Sequence, residues 1–154
     1  MVRGGNTYVK AHVLCYRLAM SKGKSTASLD VLFRALADAT RLRLLNLVND
    51  REICVCYFVE ILGLSQPKIS RHLAYLRRAG IVAARREGRW THYRLVMPTD
   101  SAAGGILRET LKHMVDRPEM RRDVARLGMA CCAPEKFELL QGAPQPQAIR
   151  GSGK

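Results

Sequence analysis

The sequence lacks any run of eighteen or more apolar residues, so no membrane-spanning helix and no membrane partner are expected. It lacks a phosphate-cradling glycine loop, a nucleophile elbow and a metalloprotease motif, and its histidines bear no relation to a nucleophile, so no enzyme is expected. No internal repeat is present. Acidic residues are scarce: 13 stand against 26 lysines and arginines, a formal net charge of +13 that points to a polyanionic partner, nucleic acid first. Five cysteines, Cys15, Cys54, Cys56, Cys131 and Cys132, are an odd number, and two of the pairs sit too close together for a disulfide framework. Free thiols and a reducing, cytoplasmic setting are therefore expected.

A length of 154 residues fits one folded domain. Residues 1–25 read as a flexible basic extension, with Arg3, Lys10 and Arg17 around the short apolar patch Val13 to Leu18. Arg17 interrupts that patch and no small-residue cleavage site follows, which argues against a leader. Residues 26–128 hold the periodic segments. Residues 129–154 read as a Cys-Cys segment and a flexible tail, since Pro134, Pro144 and Pro146 fall among glutamines and glycines, with large apolar residues only from Phe137 to Leu140.

Leu29, Leu32, Phe33 and Leu36 recur at helical spacing, and Leu42, Leu45 and Val48 repeat the pattern after a break near Asp38 to Thr40. Ile53 to Leu62 predicts a third, short helix closed by Gly63. Ser65 offers an N-cap, Pro67 suits a first turn, and Ile69, Leu73 and Leu76 make an apolar stripe up to Gly80. Two strands, Ile81 to Arg86 and Trp90 to Val96, flank Glu87-Gly88 as a hairpin. Leu107, Leu111 and Met114 open another helix, which Pro118 bends or interrupts before Met120, Val124 and Leu127 resume it. The fold class is mostly α (α+β): a winged helix-turn-helix with a β-hairpin wing.

That architecture places the helix after Gly63 in a DNA major groove. Its positions outside the apolar stripe are Gln66, Lys68, Ser70, Arg71, His72, Tyr75 and Arg78, a set able to read purine edges and hold phosphates. Arg85, Arg86 and Arg89 add a second basic cluster on the wing.

Three stretches then carry a specific likeness. Leu36-Ala37-Asp38-Ala39-Thr40-Arg41-Leu42-Arg43-Leu44-Leu45, Glu52-Ile53-Cys54-Val55-Cys56, and Gly63-Leu64-Ser65-Gln66-Pro67-Lys68-Ile69-Ser70-Arg71-His72-Leu73 together resemble the ArsR/SmtB family over about Leu29 to Leu127. The resemblance implies a homodimer, joined through its first and last helices, that sits on an imperfect palindrome of double-stranded operator DNA and blocks transcription until a metal binds. Two recognition helices would then meet major grooves roughly 34 Å apart.

Cys54-Val55-Cys56 occupies the position where the arsenic-responsive branch carries its Cys-Val-Cys. The resemblance implies arsenite or antimonite as inducer, with no cofactor needed for DNA binding. Residues two apart lie on different sides of an intact helix, so capture by both thiolates is expected to distort the first turn of the third helix. The chain departs from the pattern at Tyr57, where an aspartate is usual, and at Val59, where some relatives place a further cysteine. Cys131 and Cys132, expected just past the last helix, are the candidates for the missing third thiolate.

Two thiolates alone would favour a singly methylated trivalent arsenical. Cadmium, lead or zinc would want four ligands and draw on His12 and Cys15. His113 near Asp116 and Glu119 does not reproduce the zinc site of other relatives. A thiol-redox switch through the same cysteines is the remaining alternative of the same fold.

Overall fold

The computed structural model describes residues 28–148. The expected basic extension, with His12 and Cys15, lies outside them. Helices α1 (Leu29–Leu36) and α2 (Ala39–Leu47) open the chain, followed by strand β1 (Arg51–Cys54), α3 (Val55–Leu62), α4 (Gln66–Arg78), β2 (Val82–Glu87) and β3 (Trp90–Leu95). Helices α5 (Ser101–Met114) and α6 (Pro118–Cys132) come next, then two 3-10 turns (Pro134–Lys136, Glu138–Leu140) and strand β4 (Gln147–Ala148). The expected winged helix-turn-helix of mostly α (α+β) class is borne out.

Local chemistry sets most boundaries. Asp38 caps α2 by accepting from the Arg41 backbone N–H at 2.9 Å, which accounts for the break after α1. Gly63 ends α3 at φ 63° and ψ 31°, a left-handed conformation that glycine adopts without Cβ strain. Ser65 stands at the N-cap of α4 but makes no side-chain capping bond, and Pro67 lies in the first turn. Ile69, Leu73 and Leu76 are fully buried on one face of α4, and this face fixes α4 against α3 and α2. Pro118 starts a separate helix, which Arg43 of α2 ties down through a bidentate pair with Asp123, both bonds 2.7 Å.

Two expectations need correction. Ile53 and Cys54 do not begin a helix: Arg51–Cys54 is a strand whose Ile53 and Cys54 pair antiparallel with Tyr93 and His92 of β3. The sheet order is β2-β3-β1-β4. The tail expected to be flexible past Ala133 instead folds back, up to Ala148. Leu140 is buried, Phe137 and Ala143 pack against the core, and β4 pairs with Arg51 and Glu52 of β1. Apolar anchors at Phe137 and Leu140 supply the burial that the polar composition around them does not.

Candidate functional site

Gln66, Lys68, Arg71 and Arg78 are exposed on α4, and Ser70 is half-buried. Arg71 and Arg78, seven residues apart, form one outward ridge opposite the buried stripe. Arg77, which the sequence reading passed over, is exposed as well. Its signal was its place in the Arg77-Arg78 pair of the last turn.

Two members of the expected set turn toward the body. The Arg41 guanidinium stacks 4.4 Å above the Tyr75 ring, while Arg41 also donates to the carbonyls of Ala35 and Arg34. His72 Nδ1 lies 3.5 Å from Asp38. Tyr75 and His72 therefore fasten α4 to the α1–α2 junction. On the wing, Arg86 and Arg89 are exposed, with Arg89 stacked 4.6 Å over Trp90. Arg85 is committed elsewhere: it bonds Glu52 at 2.8 and 2.7 Å and Glu87 at 2.7 Å, so its charge is neutralised by carboxylates.

The thiols lie behind this surface. Cys54 ends β1 with extended φ −69° and ψ 145°, and it forms the N-cap of α3, while Cys56 lies in that helix's first turn. The Cys56 thiol donates to Cys54 Sγ across 3.0 Å. The expected placement of the two thiols on different sides of an intact helix is thus overturned, because strand geometry at Cys54 swings its side chain toward Cys56. The two sulfurs stand side by side before any ion joins them.

Hydrogen bonding from Cys56 lowers the Cys54 thiol to about 7, against burial, with help from the backbone N–H groups of Cys56, Thr91 and Val55. A thiolate at a helix N-terminus gains the same kind of support from aligned peptide dipoles. Cys56 is pushed up, first by donating to Cys54 and then by burial and the neighbouring charge. Near neutral pH Cys54 passes between thiol and thiolate, while Cys56 keeps its proton and directs it at Cys54. Cys54 is buried and Cys56 half-buried, so Cys56 is the more accessible of the two.

Cys131 and Cys132 close α6 rather than following it. Cys131 is half-buried, its thiol pushed up by burial, and Cys132 is exposed. Tyr57, the residue after Cys56, is fully buried, and its hydroxyl has no hydrogen-bond partner. Burial, then the charges of Cys131, Cys56 and Cys54, raise that phenol to about 12. Among the described residues no three histidine, cysteine, aspartate or glutamate side chains gather as a metal site. The structure brings Cys54 and Cys56 together and leaves Cys131 and Cys132 apart from them. His113, Asp116 and Glu119 likewise form no cluster.

Fold and site together define a winged helix-turn-helix regulator with a thiol pair at the start of its first motif helix. The family model described as "Bacterial regulatory protein, arsR family" matches residues 38–84, from the cap of α2 into β2. The arsenic resistance transcriptional regulator ArsR1 of Pseudomonas putida is 54% identical over 66 residues, covering 42% of this chain and 52% of that one. The arsenical resistance operon repressor of Escherichia coli is 47% identical over 79 residues, 51% of this chain and 68% of its own. The solved structure of HlyU from Vibrio cholerae is 31% identical, covering 60% of this chain and 97% of that one, with a TM-score of 0.48. The chain thus spans from about half to about two thirds of the two curated relatives named.

The chain belongs to the arsR family. Its relatives there are transcriptional regulators rather than enzymes, and no helix among the described residues is long and apolar enough to cross a membrane.

Proposed function

We propose that this chain is a cytoplasmic, homodimeric repressor of arsenic resistance genes, released from its operator when trivalent arsenic or antimony, as arsenite or antimonite, joins Cys54 and Cys56. The observation that carries the reading is the preformed pair, two sulfurs 3.0 Å apart at the start of the helix-turn-helix, with the Cys54 thiol lowered to about 7. The names of the Pseudomonas putida and Escherichia coli relatives support arsenic as the inducer class. As each arsenic–sulfur bond forms an arsenic–oxygen bond breaks, and the hydroxide leaves as water with the proton from the thiol or from solvent. Leu29 and Phe33 on α1 and Val124 and Met129 on α6 are exposed apolar side chains, which supports a dimer through the first and last helices.

Gln66, Lys68, Ser70, Arg71 and Arg78 would face the major groove, with Arg86 and Arg89 on the flanking backbone or minor groove. His72 and Tyr75 would act by orienting α4. The third thiolate would come from Cys131 or Cys132. Because Cys131 does not cluster with the pair, recruiting it requires the end of α6 to shift against α3, and α4 packs on α3. Capture and the DNA-competent arrangement then compete, and release is a population shift between them.

The absence of a third donor beside the pair favours a second reading, in which two thiolates suffice and a singly methylated trivalent arsenical is the better inducer. Footprinting on the DNA upstream of the gene tests the proposal: a two-fold symmetric protected site that disappears with arsenite under full reduction supports it. Protection that persists with arsenite, antimonite and the methylated arsenical contradicts it.

A further inference from the structure

Cys54, His92 and Arg85 form one row across three strands, because Cys54 pairs with His92 and His92 with Arg85 in the antiparallel registers. Directly opposed residues share a face of the sheet, and Glu52, two before Cys54 on β1, shares it too. From β2, the Arg85 guanidinium reaches across β3 to Glu52, with Nε at 2.8 Å and Nη2 at 2.7 Å from the same carboxylate oxygen. Its Nη1 holds Glu87 at 2.7 Å, so all three nitrogens are engaged. His92 is spanned by this arm and is buried, its Nε2 unpartnered and 3.8 Å from the Glu87 carboxylate.

The wing and the thiol strand are therefore linked twice. One link is the short ladder from Ile53 and Cys54 to Tyr93 and His92. The other is the Glu52–Arg85 pair, the one ion pair between β1 and β2 among the described residues. Arg85 is followed directly by Arg86, an exposed wing cation.

We infer that the Glu52–Arg85 pair is a positioning contact that passes inducer capture at Cys54 and Cys56 to the wing. The inference rests on the arsenic-responsive reading above. A shift of Cys54 as it takes arsenic carries Glu52 along the same strand face. Arg85 follows, since a guanidinium fork held at three points moves with its carboxylates. The wing then changes its tilt on the DNA, and Arg86 and Arg89 lose register with the phosphates. Arg85 serves as a lever and not as a DNA contact.

The test compares the fully reduced parent with Glu52→Gln, Arg85→Gln and the double variant, reading operator Kd with and without inorganic arsenite. Trp90, the only tryptophan, reports wing movement by fluorescence. Arsenite binding is read separately by the loss of titratable thiols. The parent's affinity is expected to fall by about 5–150-fold, the range typical of allosteric coupling. All three variants are expected to bind arsenite like the parent, yet to lose most of that fall and of the Trp90 response. The double variant should lose no more than either single one, as two ends of one contact require.

Variants released as fully as the parent, losses that add in the double variant, or variants that no longer bind arsenite would each overturn the inference. A parent that arsenite does not release overturns the arsenic-responsive reading itself, and the lever with it.

Discussion

Cys54 and Cys56 face each other across a bend between strand and helix, 3.0 Å from sulfur to sulfur, with the Cys56 proton directed at Cys54. Cys54, its thiol lowered to about 7 while Cys56 is pushed up, is the readier of the two to act as a thiolate near neutral pH.

Ultraviolet thiolate absorbance measures this directly. Cys54 is lowered, so its thiolate should be mostly lost below pH about 7 and mostly present above it. In Cys56→Ala the donated hydrogen bond is gone, and the midpoint should move up toward the ordinary thiol value of 9.0. An unchanged midpoint in that variant would show that the backbone N–H groups alone hold the charge.

Asp123 is buried in α6, its side chain 6% exposed, where it accepts two bonds from Arg43. Asp123→Ala leaves the arginine without its partner, which should cost roughly 3 kcal/mol, the low end of the range for broken buried pairs because Arg43 keeps some solvent. Urea unfolding should show a lower midpoint with an unchanged slope.

Tyr57 carries a buried hydroxyl without a partner. Removing it in Tyr57→Phe should leave stability equal or raise it, by up to about 1–3 kcal/mol, the penalty of an unsatisfied buried polar group. Clear destabilisation in thermal melts would mean that the hydroxyl is bonded in solution.

Two cations on the outward face of α4 should separate in DNA binding. Arg71→Ala should cost about 1–3 kcal/mol on the operator and relax base preference at one position, as loss of a base contact does. Lys68→Ala should weaken operator and unrelated DNA alike and reduce the salt slope by about 1, as loss of a phosphate contact does. A flat salt profile for the parent would contradict the DNA-binding face.

Much of this was legible in the sequence because the signals are local. Gly63, Pro67 and the Ile69–Leu73–Leu76 stripe fix the motif within one short segment, and Gly88 does the same for the wing turn, one residue later than read. What could not be read depends on partners far along the chain. Arg51–Cys54 is a strand because Tyr93 and His92 pair with it, and four residues are too few to show a period. Arg85 looked like a DNA contact until Glu52, 33 residues earlier, took its charge. The tail looked unstructured because nothing local reveals that Leu140 is buried beside α3. The geometry of Cys54 and Cys56 was not legible either, since that too hung on β1.

The most direct measurement is fluorescence anisotropy of the reduced protein on its upstream promoter duplex, titrated with arsenite, antimonite, cadmium, zinc and a mild oxidant, in parallel with Cys54→Ser and Cys56→Ser. The account predicts release of the parent by arsenite or antimonite under full reduction, and serine variants that bind the duplex but stay bound. Release of the serine variants at the parent's arsenite concentration, or release of the parent only by oxidant or cadmium, would contradict it.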